Sequence, residues 1–296
     1  MLSLDQTFEF RGDAVAWGRI DGPDSASPAV LIHGFPWSAQ AWRRVAPWLA
    51  RWRPVYYFDL VGCGQSAKHT SQDVSPAVQN DLLASLIEHW EIDEPLVVAH
   101  DFGGLAALRG HFLNGISYGE LFLIDPVAWL PSGSPFFAHA REHFDVFART
   151  PGFAHDALFA AYVNSASFHG LSNETIEMYA APWRGDTGQP AFYRQIHQSG
   201  SRYIKDVQDR YAPMPFPVHL LWGLHDHTIP ISQGRSLADA LSADSFTIVP
   251  DAAHIVMEDA PEAVVAVLAG ARDAREPSTV SSRGALDRAG LARPGH

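Results

Sequence analysis

The sequence predicts an α/β fold: a mostly parallel central sheet with flanking helices and an inserted helical cap. Short β-branched and apolar runs alternate with helical stretches, the pattern of strands joined by crossover helices. The strand runs are continuously apolar rather than alternating, as in strands covered on both faces. Between about 131 and 217 the alternation stops, and an aromatic-rich segment of helical pattern with no convincing strand takes its place.

The first predicted strand is Ala29-Val30-Leu31-Ile32 and the next is Val55-Tyr56-Tyr57-Phe58, with a helix over 41–52 between them. A helix over 77–90 leads to Leu96-Val97-Val98-Ala99, and one over 105–113 leads to Leu121-Phe122-Leu123-Ile124. Helical patterning then covers 135–148, 153–165, 173–179 and 189–205. Two late strands, Val218-His219-Leu220-Leu221-Trp222 and Ser245-Phe246-Thr247-Ile248-Val249, flank a helix over 233–241, and a last helix covers 261–271. The expected organisation is core over 1–130, cap over 131–217 and core again over 218–275. A disordered tail is expected over 276–296, where Arg, Ser, Gly, Ala and Pro run without periodicity.

A chain of 296 residues has room for one large α/β domain with an insertion. With 47% hydrophobic and 18% charged residues it builds a real core. Its formal net charge of −12 repels nucleic acid and anionic membrane surfaces, so neither is an expected partner. Cys63 is the single cysteine, which excludes an intrachain disulfide and suits a reducing compartment. The N-terminus has neither the basic start nor the apolar run of a signal peptide, and no stretch is long enough to span a bilayer. The expected location is therefore cytoplasmic. Among 15 histidines the close cluster is His225-Asp226-His227, with no third ligand at a usual spacing, so no metal site is expected.

The chemistry is concentrated at Val97-Val98-Ala99-His100-Asp101-Phe102-Gly103-Gly104-Leu105. An apolar strand enters a tight turn and a helix follows at once, with small residues, Ala99 and Gly103, two positions either side of the apex. They must be small because the strand and helix backbones come close there. The usual occupant of such an apex is serine, but here it is Asp101. A carboxylate in that place attacks a saturated carbon and forms an alkyl ester, and the helix N-terminus favours its ionised form. The competing reading is that Asp101 only caps the helix. Gly115-Ile116-Ser117-Tyr118-Gly119 matches the serine version of the motif, but it follows a helix and precedes a strand, the reverse of the required order.

The loop His33-Gly34-Phe35-Pro36-Trp37 follows the first predicted strand. It offers the Phe35 N–H, and the residue after the nucleophile offers the Phe102 N–H, as an oxyanion hole. The turn Asp59-Leu60-Val61-Gly62-Cys63-Gly64-Gln65-Ser66 reads as structural, with Cys63 as small filler. The base is expected late in the chain, and Asp251-Ala252-Ala253-His254 supplies His254. Its orienting acid is expected to be Asp226, at the end of Trp222-Gly223-Leu224-His225-Asp226. Asp125, at the end of the run 121–124, is the alternative acid.

These four segments resemble the epoxide hydrolase and haloalkane dehalogenase branch of the α/β-hydrolases: His33-Gly34-Phe35-Pro36, His100-Asp101-Phe102-Gly103-Gly104, Trp222-Gly223-Leu224-His225-Asp226 and the loop around His254. Together they frame most of residues 25–270. The resemblance implies the α/β-hydrolase fold and two-step covalent hydrolysis without metal or organic cofactor. The implied partners are a small apolar organic substrate and water, in a monomer or homodimer. Epoxide hydrolases carry cap tyrosines that donate to the epoxide oxygen. Phe192-Tyr193-Arg194 resembles the surroundings of one, with Tyr162 and Tyr179 as candidates for the other. Haloalkane dehalogenases carry a tryptophan after the nucleophile. Phe102 stands there and cannot donate, which leaves Trp37 or Trp129 as replacements. Fluoroacetate dehalogenases need an arginine at that same position. Epoxide hydrolysis to a diol is the first expectation, haloalkane hydrolysis the second, and a non-catalytic ligand-binding member of the fold the third.

Overall fold

The computed structural model describes residues 1–275, so the tail predicted over 276–296 lies outside the described residues. The core is an eight-stranded sheet in the order β1-β2-β4-β3-β5-β6-β7-β8. Strands β3 (Ala29–Ile32), β4 (Val55–Phe58), β5 (Leu96–His100), β6 (Glu120–Ile124), β7 (Val218–Gly223) and β8 (Ser245–Val249) are all parallel. Every residue of β3, β5 and β6 is buried, as their unbroken apolar runs predict. At the far edge, β8 is only half-covered along most of its length.

Two strands, β1 (Gln6–Phe10) and β2 (Asp13–Ile20), are not among those predicted above. They form an antiparallel hairpin on the edge of β4, closed by Arg11 and Gly12 at φ 55° and 86°. Two consecutive positive φ values make the tight turn that matches strand twist. Asn-Gly or Asp-Gly announces such a turn, and Arg-Gly does not.

Helix α1 (Ala46–Leu49) is a single turn preceded by a 3₁₀ turn over Ala39–Trp42, where one helix over 41–52 is expected. Pro47 explains the break: it lacks an N–H and its ring clashes with the carbonyl four residues back, so it fits only at a helix start. Helices α2 (Pro76–His89) and α3 (Phe102–Asn114) cover the sheet, and α3 begins directly after Asp101, three residues earlier than predicted. Between β6 and β7 the chain inserts α4 (Pro135–Glu142), α5 (Phe144–Ala148), α6 (Gly152–Asn164), α7 (Asn173–Ala180), α8 (Gly185–Gln198) and α9 (Arg202–Gln208). Two helices predicted as continuous are each split, 135–148 at His143 and 189–205 at Ser199-Gly200-Ser201. Helices α10 (Ile231–Leu241), α11 (Val256–Asp259) and α12 (Pro261–Arg275) complete the core. Among the described residues no helix is long and apolar enough to cross a membrane.

The inserted helices are tied down over the C-terminal edge of the sheet. The Trp183 indole N–H donates to the Pro36 carbonyl at 2.8 Å. Gln195 donates to the Val61 carbonyl at 2.9 Å and Arg194 to the His69 carbonyl at 2.8 Å. Arg43 reaches Glu258, and the Tyr179 hydroxyl donates to the same carboxylate at 2.5 Å. These ties lie beside the loops after β3, β4 and β8, which are the loops that shape the site.

Candidate active site

Asp101 stands between β5 and α3 with φ 53° and ψ −121°. A non-glycine residue held there costs about 1–3 kcal/mol and persists only where its surroundings fix it. Here the Asp101 N–H donates to the Ile124 carbonyl at 3.3 Å, and its carbonyl accepts from Val127 N–H at 3.0 Å and Leu105 N–H at 3.2 Å. The small residues around the apex are needed. A Cβ on Gly103 would come within 2.5 Å of the Ile32 and His33 carbonyls, and one on Gly34 within 2.3 Å of Asp101 Oδ1. The side chain makes no capping bond to its own helix. It turns instead toward the Phe35 N–H, which donates to Oδ1 at 2.9 Å, and toward His254, whose Nε2 lies 3.2 Å from Oδ2.

His254 follows β8 in a buried loop, and its Nδ1–H donates to Asp226 Oδ2 at 2.8 Å. Asp226 follows β7, and its Oδ1 accepts the Thr228 and Ile229 N–H groups at 2.7 and 2.9 Å. Both Asp226 oxygens are therefore occupied, which leaves the cluster His225-Asp226-His227 without a free carboxylate. His225 stacks on Phe168. Asp125, the other candidate acid, is fully buried at the end of β6 and accepts the Gly223 N–H at 3.0 Å. Burial and the neighbouring Asp226 charge push its carboxyl well above the usual range. Asp125 bonds the Gly223 backbone, and Asp226 is the carboxyl group on the imidazole.

The electrostatics couple Asp101 and His254. Burial pushes the Asp101 carboxyl up, but the hydrogen bond and the charge of His254 outweigh it and hold it below its ordinary value. Burial pushes His254 down, but Asp226 and Asp101 on its two sides raise it well above an ordinary histidine. A raised pKa in the fold means stability that is complete below about pH 6.5, the unfolded value, and is lost as pH rises through the folded value. Thermal melts of the wild type and a His254→Gln variant across neutral to alkaline pH are expected to show a stability difference that shrinks as pH rises. A difference that grows would contradict the assigned charges.

Two further histidines hold the loops. His33 donates from Nδ1 to the Gly34 carbonyl at 2.7 Å and accepts the Leu60 N–H on Nε2 at 3.0 Å, with burial lowering its pKa. His100 donates from Nε2 to the His254 carbonyl at 2.9 Å, and burial lowers it to about 3. Both are neutral spacers that position the Phe35 N–H and the His254 backbone. Their place beside the motif residues was the available signal for them.

Asp101 opens on a cavity that is partly open to solvent. Phe35, Phe102, Val127, Phe137, Ile204 and Ile229 give it apolar walls, and Tyr162 and Arg141 bring polar atoms from the inserted helices. Tyr162, one of the candidate tyrosines, has no hydrogen-bond partner for its hydroxyl among the described residues, and burial with the charges of Asp101 and Asp226 raises its pKa. Tyr193, the tyrosine expected at the substrate, is fully buried away from this cavity, its hydroxyl 3.1 Å from His155 Nδ1. Tyr179 is committed to Glu258. Trp37 packs edge-on against Tyr179, and Trp129 against Tyr211, so neither expected indole reaches the cavity walls. Ser117, in the chance serine motif, is exposed and bonds Glu94. Arg141 went unremarked in the sequence, where only its position beside Phe136, Phe137 and Ala140 sets it apart.

A family model described as the alpha/beta hydrolase family matches residues 29–267. A solved alpha/beta hydrolase fold protein from Burkholderia ambifaria is 48% identical, with a TM-score of 0.87 over 90% of this chain and 98% of that one. YugF of Bacillus subtilis (strain 168), described as an uncharacterized hydrolase, is 24% identical over 245 residues, 79% of this chain and 86% of its own length. The epoxide hydrolase CorEH is 19% identical with a TM-score of 0.67, over 90% of this chain and 96% of its own, a likeness of fold alone. With that fold, and a strand–turn–helix apex inside the matched span, the chain belongs to the alpha/beta hydrolase family.

Proposed function

We propose that this hydrolase opens epoxides to diols through an alkyl ester on Asp101. The observation that carries the reading is the Asp101 carboxylate, held between the Phe35 N–H and His254, opening on a cavity whose wall includes the unbonded Tyr162 phenol. Asp101 attacks an epoxide carbon, the ring C–O bond breaks, and Tyr162 delivers its proton to the oxygen. Ester formation removes the Asp101 charge, one of the two that keep His254 protonated. The proton His254 then gives up replaces the one Tyr162 delivered, and the imidazole becomes a base. It takes a proton from water, hydroxide adds to the ester carbonyl, and the Phe35 and Phe102 N–H groups hold the oxyanion. Collapse expels the second diol oxygen, which takes the proton left on the Asp101 carboxyl. Asp226 orients the imidazole throughout. Carboxylate, imidazole and phenol carry every step, so the proposal calls for no metal or organic cofactor.

A halide leaving group favours N–H donors, and Phe102 has none on its side chain while Trp37 and Trp129 stand off the cavity. Tyr162→Phe is therefore expected to lower kcat on a small epoxide by about 10²–10⁴-fold, the usual worth of a positioned acid. Assay of an epoxide and haloalkane panel with wild type and variant tests this. Diol formation that collapses in the variant supports the reading. Halide release that ignores the variant makes the protein a dehalogenase, and failure on the whole panel overturns the epoxide reading and favours a binding protein.

A further inference from the structure

The cavity holds a cation that has no counter-ion. Arg141, on α4, donates from Nε to the Ile196 carbonyl at 3.1 Å and from Nη2 to the Ser199 carbonyl and hydroxyl at 2.8 and 3.1 Å. These bonds fix the guanidinium and leave Nη1 with no partner among the described residues. The chain has 33 carboxylate side chains, and two other part-buried arginines take one, Arg43 with Glu258 and Arg109 with Asp206, while Arg194, off this cavity, bonds the His69 carbonyl. Among the described residues no carboxylate lies within ion-pair distance of Arg141, although burial disfavours its charge. An unpaired, half-buried guanidinium is expensive to keep, and this one lines the same cavity as Asp101.

We infer that Arg141 is a specificity-determining residue that anchors a carboxylate of the substrate whose reacting carbon is attacked by Asp101. The inference rests on the proposed function for the identity of the reacting carbon. The same cavity is lined by Ser132, Ser134 and Ser201, whose hydroxyls offer an oxyanion further polar contacts. Phe35, Phe102, Phe137 and Ile229 also line it and suit an apolar body. The anion is a monocarboxylate: one nitrogen of the fork is free, and a chain of net charge −12 repels each added negative charge. The substrate class is then an epoxide whose carbon chain ends in a single carboxylate.

Binding without turnover tests this independently of the covalent chemistry. Hexanoate and hexanamide have the same shape and differ in charge. On a protein this acidic, a preference for the anion comes from local donors or cations, and the Arg141 variants separate Arg141 from His254 and the backbone N–H groups. Calorimetric titration is expected to show hexanoate binding the wild type at least about tenfold more tightly than hexanamide, a difference of ~1.4 kcal/mol. The preference disappears in Arg141→Gln, with hexanamide affinity unchanged, and partly returns in Arg141→Lys. Equal binding of the two ligands by the wild type overturns the anchor, as does a preference that survives Arg141→Gln. The first of these needs no variant, so a misfolded Arg141→Gln protein does not protect the inference. If hexanoate binds as expected but no ester forms on Asp101, the proposed reaction fails and the anchor stands.

Discussion

Asp101→Asn is expected to abolish turnover, by about 10⁴-fold or more, while leaving the fold intact. Asparagine has nearly the shape of aspartate and tolerates positive φ, so the strained apex and its backbone bonds to Ile124, Val127 and Leu105 remain. Its amide oxygen still accepts the Phe35 N–H. What it lacks is the anionic lone pair that attacks carbon. A residue that merely capped α3 would give the opposite result, because Asn caps helices as well as Asp. Steady-state assay and a thermal melt of the same preparation distinguish the two. Lost activity with an unchanged melting temperature fits a nucleophile, and retained activity excludes one.

His254→Gln is expected to separate the two chemical steps. Glutamine can still donate a hydrogen bond to Asp101, so attack on the substrate survives at a reduced rate. It cannot take a proton from water, so the ester persists. Rapid-quench assay is expected to show a burst of one equivalent of substrate consumed, then turnover slower by about 10³-fold or more. Equal losses in the burst and the steady state would mean that His254 serves the first step, and that the division of labour drawn here is wrong.

The parts of this fold that were legible are those written in local pattern. Strands β3, β5 and β6 are read from nearly unbroken apolar runs, because strands covered on both faces bury every side chain. The β1–β2 hairpin was missed because its turn is Arg11-Gly12 and its strands are half exposed. In the site, Asp101, Phe35, Phe102 and His254 come together because each is fixed by the end of one strand. The sequence favours Asp226 over Asp125 by chain order but leaves Asp125 as an alternative, since each follows a neighbouring parallel strand. What separates them is that Asp226 faces the imidazole while Asp125 sits behind it. The cap residues were the least legible. Tyr162 and Tyr193 lie on different helices, and nothing local says which face of α8 turns inward. Tyr193 turns to His155, which leaves Tyr162, on α6, as the cavity phenol. Arg141 becomes visible only when its lack of a carboxylate partner is set beside its place on the cavity wall.

A single turnover in ¹⁸O-labelled water, with enzyme in excess over an epoxide, tests the ester most directly. Water that attacks the ester carbonyl leaves its oxygen in the Asp101 side chain, and the first diol carries an oxygen that belonged to the enzyme. Mass spectrometry of the peptide containing Asp101 is expected to find the label there, with the first-turnover diol unlabelled. Label that appears in the diol at once, with none in Asp101, would mean that water attacks the substrate directly.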